Sequence, residues 1–333
     1  MLKGKSSQSS ALWARITFII SMSLVLSISC VAFGSVAFSF REIFEALMAR
    51  EGVHWTVISE LRWPRVLVAF TSGALLAMSG CLLQALLRNP LADPYIFGVS
   101  SGASLGVLGA TIFALPGFVT IFGFGGAALV VLMVAYFAHH GADWSPYRLI
   151  LTGVMVSAGL NAIISLILVL APPVAMKGML FWMMGDLTYA HPRGMVGLFM
   201  LMTLTFGVFY GRALDVLTLG EERAKALGVP VKYLEYAIYL LASAAAALVV
   251  VEAGAIGFVG LVVPHILRMM GVWQHRYLVM VSAFFGGALV TVADTFARSL
   301  WSPVQLPVGV VTAMIGVPIL IFLLNKPGYV ERR

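Results

Sequence analysis

The sequence predicts an all-α, polytopic membrane protein with about ten transmembrane helices, in a single domain over 1–333. Two observations carry this. Hydrophobic residues make up 61% of the 333 residues and charged residues 11%, against about 45–50% and about 25% in soluble domains. The uncharged runs are 16 to 45 residues long and do not alternate with polar positions. A hydrocarbon core about 30 Å thick takes about 20 apolar residues per helix. Only helices and closed barrels satisfy their backbone groups there, and runs without alternation select helices.

The first span is expected near 16–38, after Lys3, Lys5 and Arg15. Its uncharged run, Ile16 to Phe40, is too long for a cleaved signal peptide and lacks an A-x-A site, so it reads as a retained helix. The second span, 66–87, lies between Arg65 and Arg88. The 45-residue run from Pro94 to Ala138 must be two helices, broken at Leu115-Pro116-Gly117. The fifth is expected near 149–171, closed by Pro172-Pro173, and the sixth near 194–211, between Arg193 and Arg212. The last four are expected near 236–251, 256–270, 277–296 and 307–325, the eighth short and containing Pro264. Cys30 and Cys81 fall in spans and read as small apolar residues.

An even number of spans puts both termini on one side. Lys and Arg then divide as 14 on the terminal side and seven on the other. That bias puts the termini in the cytoplasm, together with the segment Thr218–Glu235. The net charge of +7 therefore reports topology, not nucleic-acid binding.

Small residues mark buried helix faces in lipid. Gly98, Gly102 and Gly106 stand four apart, as do Gly73, Ala77 and Cys81. Gly98 to Gly102 also matches G-x-S-x-G, but a nucleophile elbow needs a preceding strand and a nearby base. No H-E-x-x-H or C-x-x-C occurs, and Gly4-Lys5-Ser6 lacks the glycine-rich loop of a phosphate cradle. His265 reads as a structural residue near a helix end. Glu252 and Asp294 fall near the outer ends of their spans, with Asp294 and Arg298 spaced to pair. No charge is expected at mid-membrane, which counts against an ion-coupled secondary transporter of a small solute, the alternative function.

The segment Thr218–Glu235 packs six formal charges into 18 residues. Thr218 and Glu221 have capping-box spacing, with Glu221 and Glu222 in the first turn and Lys225 later. Gly228 is placed to end a short helix, and Pro230 to start a second at its first position. Two such short helices are unstable alone and must dock on something.

Six stretches occur in order: "LRWPRVLVAFTSGALLAMSGCLLQALLRNPLADPYIFGVSSGASLG", "FWMMGDL", "LGEERAKALGV", "GAIGFVGLVVPHILR", "ADTFAR" and "LPVGVVTAMIGVP". With them the chain resembles the FecCD-type ABC transporter permease family, membrane subunits of importers for iron–siderophores, haem and cobalamin. The resemblance runs from about Leu61 to Leu324. It implies a cobalamin-importer-permease-like fold in the cell inner membrane and a homodimer of permeases. It also implies two ATP-binding cassette ATPase subunits and a periplasmic or extracellular substrate-binding protein. ATP and Mg would sit on the ATPases, leaving this chain without cofactor, metal or catalytic residue. Leu219, Gly220, Glu221, Glu222, Arg223, Ala224, Lys225, Leu227 and Gly228 match the family's ATPase-coupling helices. Arg62, Arg65 and Arg298 match outer arginines that receive acidic residues of the binding protein. Ser145, Pro146 and Tyr147 match the cytoplasmic gate region, where Pro146 and Tyr147 depart from small hydroxyl residues. Met179 to Gly185 matches a short outer helix.

Overall fold

The computed structural model describes residues 2–34, 38–138, 146–188 and 191–325. These residues form helices joined by turns, with no strand among them. α1 (Leu2–Ser29) stops short of the expected 38. Beyond it the carbonyls of Cys30, Val31 and Ala32 turn onto the guanidinium groups of Arg298 and Arg62. α2 (Phe40–Ala49) opens on a capping box: Glu42 accepts the Ser39 N–H at 2.7 Å and Ser39 Oγ accepts the Glu42 N–H at 3.3 Å. The Ser39 bonds hold the Glu42 carboxyl below the usual range. α3 (Gly52–Thr56) and a π-helical stretch, Val57–Arg62, run without a break into α4 (Trp63–Leu86).

The long run from Pro94 does divide in two, as α5 (Val99–Ile112) and α6 (Val119–Ala138). Between them Ala114 takes a left-handed conformation at φ 52° and Pro116–Phe118 makes one 3₁₀ turn. α7 (Pro146–Leu170) ends before the two prolines, and Pro173 begins α8 (Pro173–Met183), which starts earlier than the expected Met179. There follow α9 (Gly194–Leu217), α10 (Glu221–Ala226), α11 (Val231–Ala253), α12 (Val259–Met269), α13 (His275–Ser299) and α14 (Val308–Leu324). Among the described residues, seven stretches are long and apolar enough to cross a membrane, while α5, α12 and α14 are apolar but shorter. The protein is thus a multi-pass membrane protein. α12 has 11 residues, about 16 Å at about 1.5 Å each, so it covers only about half of a bilayer core.

Burial separates centre from periphery. In the most apolar window of α4, 83% of residues are buried, against 72% for α11 and α13 and 11% for α7. The centre closes through missing side chains. A Cβ on Gly73 would collide with the Gly286 carbonyl, and one on Gly80 with the Gly260 carbonyl. α4 therefore touches α13 and α12 backbone to backbone. Ala77 and Cys81 lie on the same stripe, Ala77 against Gly286 and Cys81 Sγ 3.1 Å from Ser282 Oγ. The second stripe is also interfacial: Gly102 meets Gly126, and Gly106 meets Phe122, across α5 and α6.

Two faces result. One gathers the ends of α4, α9 and α12, the start of α13 and all of α10, and is called the α10 face. The other gathers the start of α4 and the ends of α1, α11 and α13, and is called the arginine face. There the turn after α8 is stitched to α14 and α11: Val308 N–H donates to Gly185 O (2.9 Å), Gly309 N–H to Met184 O (3.1 Å) and Asp186 N–H to Ala253 O (2.8 Å).

Pro264 explains a buried glutamine. Proline has no N–H, so the carbonyl four residues back, Gly260, loses its helical donor. Gln84 Nε2 from α4 donates to Gly260 O at 3.2 Å and to Leu261 O at 3.4 Å, supplying what lipid does not. Gln84→Leu should lower unfolding stability by about 1–3 kcal/mol, read as a lower midpoint in detergent titration. In a Pro264→Ala background, where the helical bond can re-form, the same change should cost measurably less.

Candidate functional site

The α10 face carries the charged segment. α9 ends at Leu217, and Thr218 spends its hydroxyl on the Asp215 carbonyl at 2.7 Å. The capping box expected between Thr218 and Glu221 therefore does not form. Gly220 intervenes, at φ 114° and ψ 150°, a conformation open to glycine, and α10 starts directly after it. Glu221 and Glu222 occupy the first turn, and Glu221 pairs with Lys225 at 2.7 Å. The C-terminal end follows expectation. Gly228 sits at φ 78°, its N–H donates to Lys225 O, and Val229 N–H donates to Ala224 O, both at 3.0 Å, the Schellman arrangement. The second short helix is corrected: Pro230 precedes α11, and residues 231–235 are simply the first turn of that span.

Ala224 is fully buried and fastens α10 to the body, which it meets along α9 and α11. Glu222, Arg223 and Lys225 are exposed. Leu219 and Leu227, at the two ends, are 56% and 67% exposed. An isolated one-and-a-half-turn helix has no intrinsic stability, so its shape depends on the glycine at each end and on the Ala224 contact.

Beside α10 lies a polar cleft of about 480 Å³, with Arg88, Asp215, Leu219, Arg268, Trp273 and His275 in its walls. Asp215 accepts the His275 backbone N–H at 2.9 Å and lies 2.6 Å from its Nδ1, closing the start of α13 onto the end of α9. Arg268 donates to Gln84 Oε1, and Arg88 approaches buried Glu235 at 4.0 Å. These links went unread in the sequence. They join residues far apart in the chain, and only the shared depth of the helix ends hints at them.

On the arginine face, Arg62, Arg65 and Arg298 line one cavity, with Arg62 and Arg298 turned inward. Arg62 is 6% exposed, donates to Val31 O and Ala32 O at 2.9 and 2.8 Å, and lies 3.9 Å from the centre of the Phe38 ring. Arg298, also 6% exposed, donates to Cys30 O at 3.0 Å. Arg65 grips Asp294 through Nε (3.0 Å) and Nη2 (2.8 Å) and reaches Gln305 Oε1 at 3.2 Å. The expected Asp294–Arg298 pair is present but longer, at 3.6 Å. A cavity of about 750 Å³ opens over the three arginines, with Thr188, His54 and Gln305 in its walls. Asp294 was legible only as a partner of Arg298. Its bidentate bond to Arg65 needed α4 and α13 to be side by side.

Of the gate region, Ser145 lies outside the described residues. Pro146 begins α7, and Tyr147 beside it is 73% exposed.

A model of the FecCD transport family matches residues 19–326. The chain belongs to the FecCD transport family. The hemin transport system permease HmuU of Yersinia pestis is 32% identical over 317 residues, covering 93% of this chain and 94% of that one. The Fe(3+) dicitrate transport system permease FecD of Escherichia coli (strain K12) is 39% identical over 281 residues, covering 82% and 86%. A solved structure described as an inward-facing conformation of a metal-chelate type ABC transporter aligns with a TM-score of 0.83 and 28% identity, over 93% of this chain and 98% of the other. FecCD proteins are thus ABC transporter permeases, and the two relatives named here are permeases of hemin and Fe(3+) dicitrate transport systems. The FecCD match spans both faces described above.

The revised start of α10 is testable. Gly220→Ala strains the φ 114° turn, at about 1–3 kcal/mol, and should speed trypsin cleavage at Arg223 and Lys225 in lipid nanodiscs. Thr218→Ala, which removes only a bond to the preceding turn, should leave that cleavage near the wild-type rate.

Proposed function

We propose that this chain is the permease subunit of a binding-protein-dependent ABC importer that moves a metal chelate into the cytoplasm. The observation that carries this is α10: a short charged helix, pinned at one buried alanine and flanked by two exposed leucines. The sequence assigns this segment to the side with 14 of the 21 Lys and Arg. On the positive-inside rule that side is cytoplasmic, and both termini with it. Leu219, Glu222, Arg223, Lys225 and Leu227 then meet a partner ATPase. Two ATPase subunits bind ATP and Mg, close, and shift two permease copies between outward and inward access, a population shift driven through α10. The chain performs no bond-breaking step of its own. The inner membrane of a cell is its proposed location.

The start of α7, at Ser145, Pro146 and Tyr147, is proposed as the cytoplasmic gate region. The arginine face is proposed to meet the binding protein, whose acidic side chains suit Arg62, Arg65 and Arg298. The named relatives carry different chelates, so the cargo class is proposed no more finely than metal chelate. Presenting haem, cobalamin and ferric siderophores on the cognate binding protein would divide these.

The coupling claim is tested by Leu219→Asp with Leu227→Asp, in proteoliposomes holding the permease and its cognate ATPase. Two apolar anchors replaced by charge should cost about 2 kcal/mol or more, seen as loss of ATPase co-purification and at least about a tenfold drop in ATP-driven uptake. Unchanged uptake overturns the claim. Uptake that needs only an ion gradient, without ATPase, would favour a secondary transporter.

A further inference from the structure

The three arginines facing the outer cavity are already engaged within the chain, and their engagements are linked. Arg65 uses Nε and Nη2 on Asp294 and Nη1 on Gln305. Asp294 is shared, with Arg298 Nε at 3.6 Å from its second oxygen. Arg298 in turn holds the Cys30 carbonyl, and Arg62 holds those of Val31 and Ala32, the turn in which α1 ends. The side chain of Asp294 is 2% exposed and that of Arg65 is 13% exposed, so the carboxylate lies deeper and the guanidinium nearer the opening. A guanidinium fork takes one carboxylate in bidentate fashion. Asp294 holds the Nε–Nη2 edge of Arg65 and Gln305 an Nη1 donor, so an acidic group arriving from the cavity competes with Asp294 for that edge and for the charge it neutralises.

We propose that Asp294 is an internal place-holder for a partner's carboxylate, and that the binding protein docks by ion-pair exchange. This rests on the reading of the arginine face as the binding-protein face. An incoming Asp or Glu takes Arg65 from Asp294. Asp294, left buried with Arg298 as its adjacent cation, closes on Arg298, because a buried carboxylate without a partner is costly. Arg298 then leaves the Cys30 carbonyl, and the turn after α1 loosens. Asp294 is a positioning residue in this scheme. It sets how much of Arg65 is available, and so scales the apparent affinity by that fraction.

The test uses the complete transporter in nanodiscs, with its ATPase subunits and cognate binding protein, and reads affinity by biolayer interferometry. Asp294→Asn removes the competing charge while keeping the shape. It should tighten binding by about three- to tenfold, whereas Asp294→Glu should bind as the wild type does. A folded Asp294→Asn transporter, judged by its thermal midpoint, that binds no tighter overturns the exchange. Should that variant not fold, hydrogen–deuterium exchange on the wild type decides. Docking should speed amide exchange in residues 30–34, and an unchanged rate overturns the proposal. Arg65→Ala separates the two levels. If it weakens binding while Asp294→Asn does not tighten it, the exchange alone fails. If Arg65→Ala changes nothing, the assignment of the face fails with it.

Discussion

In a bilayer no water completes an unpaired backbone group, and apolar side chains gain little by leaving lipid for one another. Helices then hold together where they can come closest. Here that place is α4. Gly73 lies against the backbone of Gly286 on α13, and Gly80 against that of Gly260 on α12. Both contacts are too close for any Cβ, so each admits one register. α4, α12 and α13 are locked at fixed depth, and the depth of each helix end is fixed with them. Gln84 can reach Gly260 only because of this, and Arg65 can reach Asp294 for the same reason.

Polar side chains in the interior follow the same constraint. Several of them repair the helices or tie their ends. Gln84 answers the donor that Pro264 lacks. Tyr239 donates to the Val131 carbonyl at 2.7 Å and joins α11 to α6. Asp215 closes α13 onto α9 at one face, and Asp294 joins α13 to α4 at the other. Charge is thus concentrated at the two faces, where water and partners are available to exchange with it.

Much of this was legible in the sequence because span length and charge placement report directly on lipid. The break at Leu115–Gly117, the stop before Pro172 and the glycine end of α10 at Gly228 all appear where local chemistry demands them. Errors arose where tertiary contact overruled a local rule. Thr218 has capping-box spacing to Glu221, but the extended Gly220 resets the helix start, and the hydroxyl turns to Asp215 instead. The first span looked continuous to 38 because no charge interrupts it. It ends at Ser29, and the carbonyls beyond it meet arginines from the π-helical stretch and from α13, 30 and 268 residues distant from their acceptors. For the arginine face the sequence supplied position and not direction. Whether Arg62 and Arg298 point outward or onto backbone carbonyls depends on acceptors in a turn with no signature of its own.

The two faces are joined by the buried, closely packed pair α4 and α13. α4 begins at the arginine cluster and ends at Gln84 and Leu86, beside the polar cleft next to α10. α13 runs the other way, from His275, bonded to Asp215 at the α10 face, to Asp294 and Arg298 at the arginine face. Between these ends the closest contacts of the pair are glycine against carbonyl, with Phe70 packed on Gly287 and Cys81 on Ser282 beside them. Sliding one helix past the other would drive backbone into backbone at Gly73 and Gly286, and close-packed contacts of this kind transmit strain rather than absorb it. A rearrangement of the ion pairs at one end therefore acts on a body that also reaches the foot of α10. Outside the pair lie the turn after α1, whose carbonyls accept the arginine bonds, and α10 itself, held at one buried alanine between two glycines.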